Sequence, residues 1–95
     1  MKIRVTLDDQ PLKFIRQQTP DSRRALREAL HAVETGKSFP EPLEDQLEGF
    51  YKLKIASYRM ILQAVPGISG PGFRVVFAQR RSMVYELFNQ LLGIE

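Results

Sequence analysis

Between Gly49 and Tyr85 the chain holds six basic side chains, Lys52, Lys54, Arg59, Arg74, Arg80 and Arg81, and no Asp or Glu. A stretch of one charge sign repels itself unless an anion meets it. Phosphate is the commonest such anion, so the asymmetry points to a nucleic-acid or nucleotide partner. Residues 1–48 do not share the bias, with eight basic and nine acidic side chains. What is missing narrows the chemistry further. The sequence has no Cys and one His, with no metal-ligand spacing and no carboxylate pair among the basic strands. Reaction chemistry here would run on ammonium, guanidinium and phenol groups, with no metal, no cofactor and no thiolate.

These groups must be positioned by strands. From Phe50 the pattern has period two: Tyr51, Leu53 and Ile55 face one way, Lys52 and Lys54 the other. Tyr58 to Val65 continues it, with Met60, Leu62 and Ala64 opposing Arg59, Ile61 and Gln63. Pro66 to Gly72 is a loop rich in breakers, and Phe73, Val75 and Phe77 then alternate with Arg74, Val76 and Ala78. Upstream, Ile3 and Val5 alternate with Lys2, Arg4 and Thr6 in a first strand. Asp8 and Asp9 supply cap chemistry for a short helix to about Gln18, with Leu12 and Ile15 one turn apart. Thr19-Pro20 starts a second helix. Its stripe is Ala25, Leu26, Ala29, Leu30 and Val33, and Gly36 is the stop. Residues 37–49 read as a surface loop pinned by Leu43 and Leu47. Leu87, Phe88, Leu91 and Leu92 recur at helical spacing in a last helix closed by Gly93.

The fold class that follows is α+β: a small antiparallel sheet in the order strand, helix, helix, strand, strand, strand, with a helical hairpin on one face and a short C-terminal helix. With Leu53, Ile55, Met60, Leu62, Phe73, Val75 and Phe77 under the hairpin, alternation gathers Lys52, Lys54, Arg59 and Arg74 on the opposite, open face. Arg80, Arg81 and Tyr85 leave the last strand at its rim. The 95 residues suit one domain, spanning 1–95. The N-terminus is not a signal peptide, and no run approaches the ~20 apolar residues of a membrane span. The lack of Cys fits a reducing cytoplasm.

The blocks Leu47-Glu48-Gly49-Phe50-Tyr51-Lys52-Leu53-Lys54, Tyr58-Arg59-Met60-Ile61 and Arg81-Ser82-Met83-Val84-Tyr85 resemble the RelE/ParE toxin superfamily of bacterial type II toxin–antitoxin modules. The element order agrees along the whole chain. The resemblance implies a small antiparallel sheet with a helical hairpin on one face, and a cognate antitoxin that lies over the toxin. RelE-like members cut messenger RNA in the ribosomal A site, on the 30S subunit; ParE-like members poison DNA gyrase. The RelE-like branch implies catalytic roles for Lys52, Lys54, Arg59, Arg81 and Tyr85, with Arg74 and Arg80 as RNA-binding charge. Where some nucleases carry a further arginine, six residues before the tyrosine, this chain has Gln79.

Under that reading Arg59 and Arg81 clamp the scissile phosphate. Neighbouring cations disfavour a protonated ammonium, which makes Lys52 or Lys54 a candidate for proton transfer. Tyr85 stacks on a base or shares the general-base role. Plainer readings stand beside these. The lysines are also ordinary residues of a solvated strand face, Tyr85 also suits a core anchor, and Arg74 suits a surface position. Arg23, Arg24 and Arg27 read as a solvated helix face or a ribosomal RNA contact. His31 reads as solvent-facing. The Leu87, Phe88, Leu91 and Leu92 stripe is either core or the seat of an antitoxin helix. A ParE-like gyrase inhibitor, or a degenerate toxin that only binds, are the alternatives to the nuclease.

Overall fold

The computed structural model describes residues 2–67 and 70–93. Alternation in the first segment gives strand β1, Arg4–Leu7. Helix α1, Asp9–Arg16, follows, then α2, Pro20–Glu34. A two-residue strand β2, Glu41–Pro42, and a 3-10 turn at Asp45–Leu47 interrupt the expected loop. The meander is β3, Phe50–Ile55, β4, Tyr58–Val65, and β5, Gly72–Arg80. Helix α3, Val84–Leu92, closes on Gly93 in the left-handed region at φ 76°. Of the breaker-rich segment that joins β4 to β5, Ile68 and Ser69 lie outside the described residues.

The class is α+β, as read from the sequence, but the sheet is mixed rather than wholly antiparallel. Its order is β1-β5-β4-β3-β2. β1 runs parallel to β5, with Arg4 opposite Gly72 and Leu7 opposite Val75. The helical hairpin carries the chain across one face before β3 begins, which leaves β1 at the far edge beside the last strand. Close approach there needs a glycine: a Cβ on Gly72 would lie 2.9 Å from the Arg4 carbonyl oxygen. β1 stops opposite Val75, and Gln10 takes over as edge partner. Its side-chain amide donates to the Ala78 carbonyl at 2.7 Å and accepts from the Ala78 N–H at 2.8 Å, so the strand's free edge stays paired.

The two helix starts differ. Asp8 sits at the N-cap of α1 but makes no capping hydrogen bond; its carboxylate instead pairs with Arg74 Nε at 3.2 Å. Thr19 does cap α2, accepting from the Ser22 N–H at 3.4 Å, with Pro20 at the first position. That bond is long, so Thr19→Ala is expected to lower stability by about 0.5–1 kcal/mol, read from the urea midpoint. An unchanged midpoint would mean that Pro20 sets the helix start without the hydroxyl.

Two apolar clusters hold the sheet. The first lies under the hairpin: Phe14, Ile15, Leu26, Leu30 and Val33 pack on Leu53, Ile55, Met60, Leu62, Val75 and Ala78. Of the α2 stripe only Ala25 stays exposed. Tyr58 ties this layer at the sheet's end, its ring edge-on to Phe14 at 5.8 Å. Its hydroxyl lies 3.2 Å from both Gln18 Oε1 and Ser22 Oγ. The second cluster is on the other face, where Ile61 and Phe77 meet Val84 and Phe88 of α3, flanked by Leu43, Leu47 and Phe50. Leu43 and Leu47 do pin the 37–49 segment, as expected.

Phe77 was expected under the hairpin and lies on the opposite face. The pairing of β4 with β5 shifts between Ile61 and Leu62: Ile61 is opposite Phe77, yet Leu62 is opposite Val75. Val76 is therefore an extra residue, a bulge, and every β5 side chain beyond it changes face. Ala78 takes the hairpin-side position against Met60 instead.

Candidate nucleic-acid interface

The pairing registers decide which cations meet. Lys54 is opposite Arg59, and Arg59 is opposite Gln79. Residues directly opposite across a ladder share a face, so Lys54, Arg59 and Gln79 form one row over three strands. Arg81 lies just past β5, and its N–H donates to the Ser57 carbonyl at 2.7 Å, which holds it at the same end of the sheet, beside the β3–β4 turn. Lys52 is two pairs further in, opposite Ile61 and on the same face.

The other two basic residues are not part of this row. Arg80 is opposite Tyr58, on the hairpin face, because the Val76 bulge has reversed the parity of the strand. Arg74 is opposite Gln63, four positions along β4 from Arg59, or about 13 Å at the rise of a strand. It is held there by Asp8. The expected gathering of Lys52, Lys54, Arg59 and Arg74 is thus divided, with Arg74 apart.

Nor is the face open or free of acid. Helix α3 covers its middle at Ile61 and Phe77, leaving the cations along its margin. Glu41, on edge strand β2 opposite Lys52, places one carboxylate oxygen, Oε2, 3.7 Å from both Lys52 Nζ and Lys54 Nζ. The like-charge crowding expected around these lysines is relieved by this carboxylate, which the stretch from Gly49 to Tyr85 does not contain.

Arg59 is engaged in the turn. Ala56 has a left-handed backbone, φ 51°, which a residue with a Cβ enters at a cost of about 1–2 kcal/mol. Arg59 Nη1 donates to the Ala56 carbonyl at 3.0 Å and the Tyr58 carbonyl at 2.7 Å, bracing that turn. Its Nε and Nη2 edge has no hydrogen-bond partner among the described residues. That edge is a planar fork of the kind that binds a phosphate through two parallel bonds. Gln79 Oε1 accepts from the Arg80 N–H at 2.9 Å, so its amide nitrogen remains as a neutral donor.

Tyr85 lies in the first turn of α3, half-buried against the second cluster. It is packed and still partly accessible, so both readings of it stand. The leucine stripe divides: Phe88 is buried and Leu87 half-buried, while Leu91 and Leu92 are 66% and 42% exposed. His31 is exposed, 3.7 Å from Glu34. Arg23, Arg24 and Arg27 line a shallow depression on α2 with Pro20 and Glu28. Two features escaped the sequence reading, Glu41 and the parity of Gln79 and Arg81. Pro40 and Pro42 on either side of Glu41 were the available signal for the first. Among the described residues no cluster of His, Cys, Asp or Glu could hold a metal ion, and no helix is long and apolar enough to cross a membrane.

No protein-family model matches the sequence, and no curated protein matches it. Solved structures do. The chain is similar to the toxin–antitoxin complex RelBE2 from Mycobacterium tuberculosis, with a TM-score of 0.67 at 12% identity, over 85% of this chain and 100% of that one. It is also similar to a YoeB/ParE toxin from Agrobacterium tumefaciens, with a TM-score of 0.58 at 16% identity, over 82% and 98% of the two chains. At such identities the likeness is one of architecture: this chain shares its fold with these two solved structures.

Proposed function

We propose that this chain is the toxin of a type II toxin–antitoxin pair, of the RelE-like branch, and that it cleaves messenger RNA in the ribosomal A site without a metal. The observation that carries the reading is the row Lys54, Arg59 and Gln79, continued by Arg81 at the turn and flanked by Lys52. It is a cationic margin with a free guanidinium fork. The match to a chain of a solved toxin–antitoxin complex supports a cognate antitoxin as partner.

Metal-free cleavage removes the 2′-hydroxyl proton, forms the 2′-oxygen–phosphorus bond, and breaks the bond to the 5′-oxygen, which takes up a proton. Arg59 and Arg81 hold the phosphate and meet the charge that develops on it. Lys52 or Lys54, released from Glu41 by the incoming phosphate, delivers the proton to the leaving oxygen. Tyr85 stacks on a base or takes part in proton removal. Gln79 offers a hydrogen bond without charge, so this site stabilises the phosphorane less than one with a guanidinium there. Arg80, on the other face, does not substitute for it.

A second reading, a ParE-like gyrase inhibitor or a toxin that only binds, is favoured by two observations: the neutral Gln79, and the carboxylate of Glu41 between the lysines. Expression followed by primer extension on cellular messages and inspection of plasmid supercoiling separates these readings. Codon-phased cuts are the expected result. Gyrase-type DNA breaks with intact messages would replace the nuclease by the inhibitor, and neither effect would leave a binding protein. Tyr85→Phe keeps the ring that packs on α3's cluster and removes only the hydroxyl. It is expected to reduce cleavage about tenfold or more with little change in melting temperature. Undiminished cleavage would return Tyr85 to the role of a core anchor.

A further inference from the structure

Glu41 sits in a segment built to hold it still. The sequence is Pro40-Glu41-Pro42, and Pro40 is buried. Pro42 disfavours any helical conformation for the residue before it, which sets Glu41 in the extended form that β2 needs. The Leu43 N–H donates to the Phe50 carbonyl at 2.9 Å, closing β2 onto β3. Pro42 also withholds a donor from the exposed sheet edge. The carboxylate of Glu41 is 55% exposed and projects from this stiff edge to a point 3.7 Å from both lysine ammonium groups, of which Lys52 is 26% and Lys54 52% exposed. One oxygen shared by two cations is the arrangement that a non-bridging phosphate oxygen would adopt between them.

From this arrangement the geometry points to Glu41 as a built-in competitor of the RNA backbone, an internal anion that occupies the Lys52–Lys54 site and that an RNA phosphate must displace. This rests on the reading that the lysine margin faces RNA. A lysine already neutralised by a carboxylate of its own chain neutralises less phosphate charge, so fewer of the counterions condensed on the RNA are released when it binds. Glu41 thereby weakens binding and flattens its salt dependence. It biases the site toward RNA held by other contacts as well, such as a message fixed within a larger assembly, over free strands. Glu41 acts through the lysines and is a positioning residue.

The test is fluorescence anisotropy of a short labelled oligouridylate RNA with the full chain across a salt series, for wild type, Glu41→Gln and Glu48→Gln. Glu48 is exposed and, among the described residues, forms no salt bridge, so its variant makes the same change in net charge without touching the lysines. Glu41→Gln is expected to tighten binding about three- to tenfold at low salt, and more than Glu48→Gln does. It should also steepen the slope of log affinity against log salt by up to about 0.7, the value for one further phosphate neutralised on a single strand, because the one carboxylate offsets one positive charge. In a Lys52→Ala/Lys54→Ala background the advantage of Glu41→Gln over Glu48→Gln should vanish. Equal effects of the two glutamine variants would overturn the proposal, as would an advantage that survives loss of both lysines. Codon-phased cleavage by wild type together with equal glutamine variants would remove Glu41's role and keep the nuclease. The Glu41 pattern in RNA binding without cleavage would remove the nuclease and keep Glu41's role.

Discussion

Arg81→Ala is expected to lower cleavage of ribosome-bound message by about 100-fold or more, the usual loss when a single preorganised donor to developing negative charge is removed. Folding should be nearly unaffected. The side chain is exposed, and the hydrogen bond that fixes this position, from the Arg81 N–H to the Ser57 carbonyl, belongs to the main chain and survives the substitution. Arg81→Lys keeps the charge but loses the fork, so an intermediate rate is expected. Arg80→Ala is the decisive companion. It removes the same charge one residue away, but Arg80 is opposite Tyr58 on the hairpin face, and a loss of no more than about threefold is expected from long-range electrostatics alone. Rates would be measured by quantitative primer extension in a reconstituted translation reaction. Equal losses from Arg80→Ala and Arg81→Ala would show that bulk charge rather than a placed guanidinium drives cleavage. An Arg81→Ala rate within twofold of wild type would take Arg81 out of the mechanism. Arg59→Ala gives no such clean test, because its guanidinium also braces the left-handed turn at Ala56.

The contrast between Arg80 and Arg81 marks where the sequence stops being legible. Period two in β3 and β4 was readable because each strand alternates apolar with charged or polar residues, and the faces assigned to Lys52, Lys54, Arg59 and Ile61 agree with the registers. In β5 the run Val75-Val76-Phe77-Ala78 is apolar throughout, so nothing in it distinguishes an extra residue from a continuing alternation. Carried straight through, period two puts Arg80 on the cation face and Arg81 under the hairpin. The bulge at Val76 exchanges them. It is made by the two sides demanding different things: Val75 packs with Leu62 in the first cluster, and Phe77 packs with Ile61 and Phe88 in the second. That demand is tertiary and leaves no local signature. Glu41 was hidden for a different reason. A two-residue strand is too short to show a period, so its acid counted as part of a loop. Strand β1 showed its own alternation but not its partner, since parallel pairing with β5 depends on the path of the helical hairpin between them. The helix limits were the most readable feature, because Thr19-Pro20 and Gly93 act through local backbone chemistry.

Phe88→Ala is expected to cost about 3–4 kcal/mol, a large share of the 5–15 kcal/mol typical of a domain. The ring is 2% exposed, edge-on to Phe50 at 5.1 Å and tilted against Phe77 at 5.7 Å. Val84 and Phe88, one turn apart, are the buried residues of α3. A nine-residue helix does not persist in water on propensity alone, so α3 exists because these two side chains are seated on Ile61 and Phe77. The hairpin cluster lies on the other face of the sheet and does not depend on them. Loss of Phe88 should therefore release α3 before the rest of the fold: α3 amides lose hydrogen-exchange protection while those of β4 keep most of theirs. Tyr85 rides on the first turn of α3, so cleavage should fall with it, even at temperatures where the sheet remains folded. Leu91→Ala, at a position 66% exposed, is the matched control and should change stability by no more than about 0.5 kcal/mol. Denaturant unfolding with hydrogen exchange reads both quantities. A Phe88→Ala loss below about 1 kcal/mol, against the 3–5 kcal/mol range for a buried aromatic, would mean that α3 is not seated by this ring. Uniform loss of protection across β4 and α3 would mean that the two clusters unfold as one unit, and that Tyr85 cannot be released without the sheet.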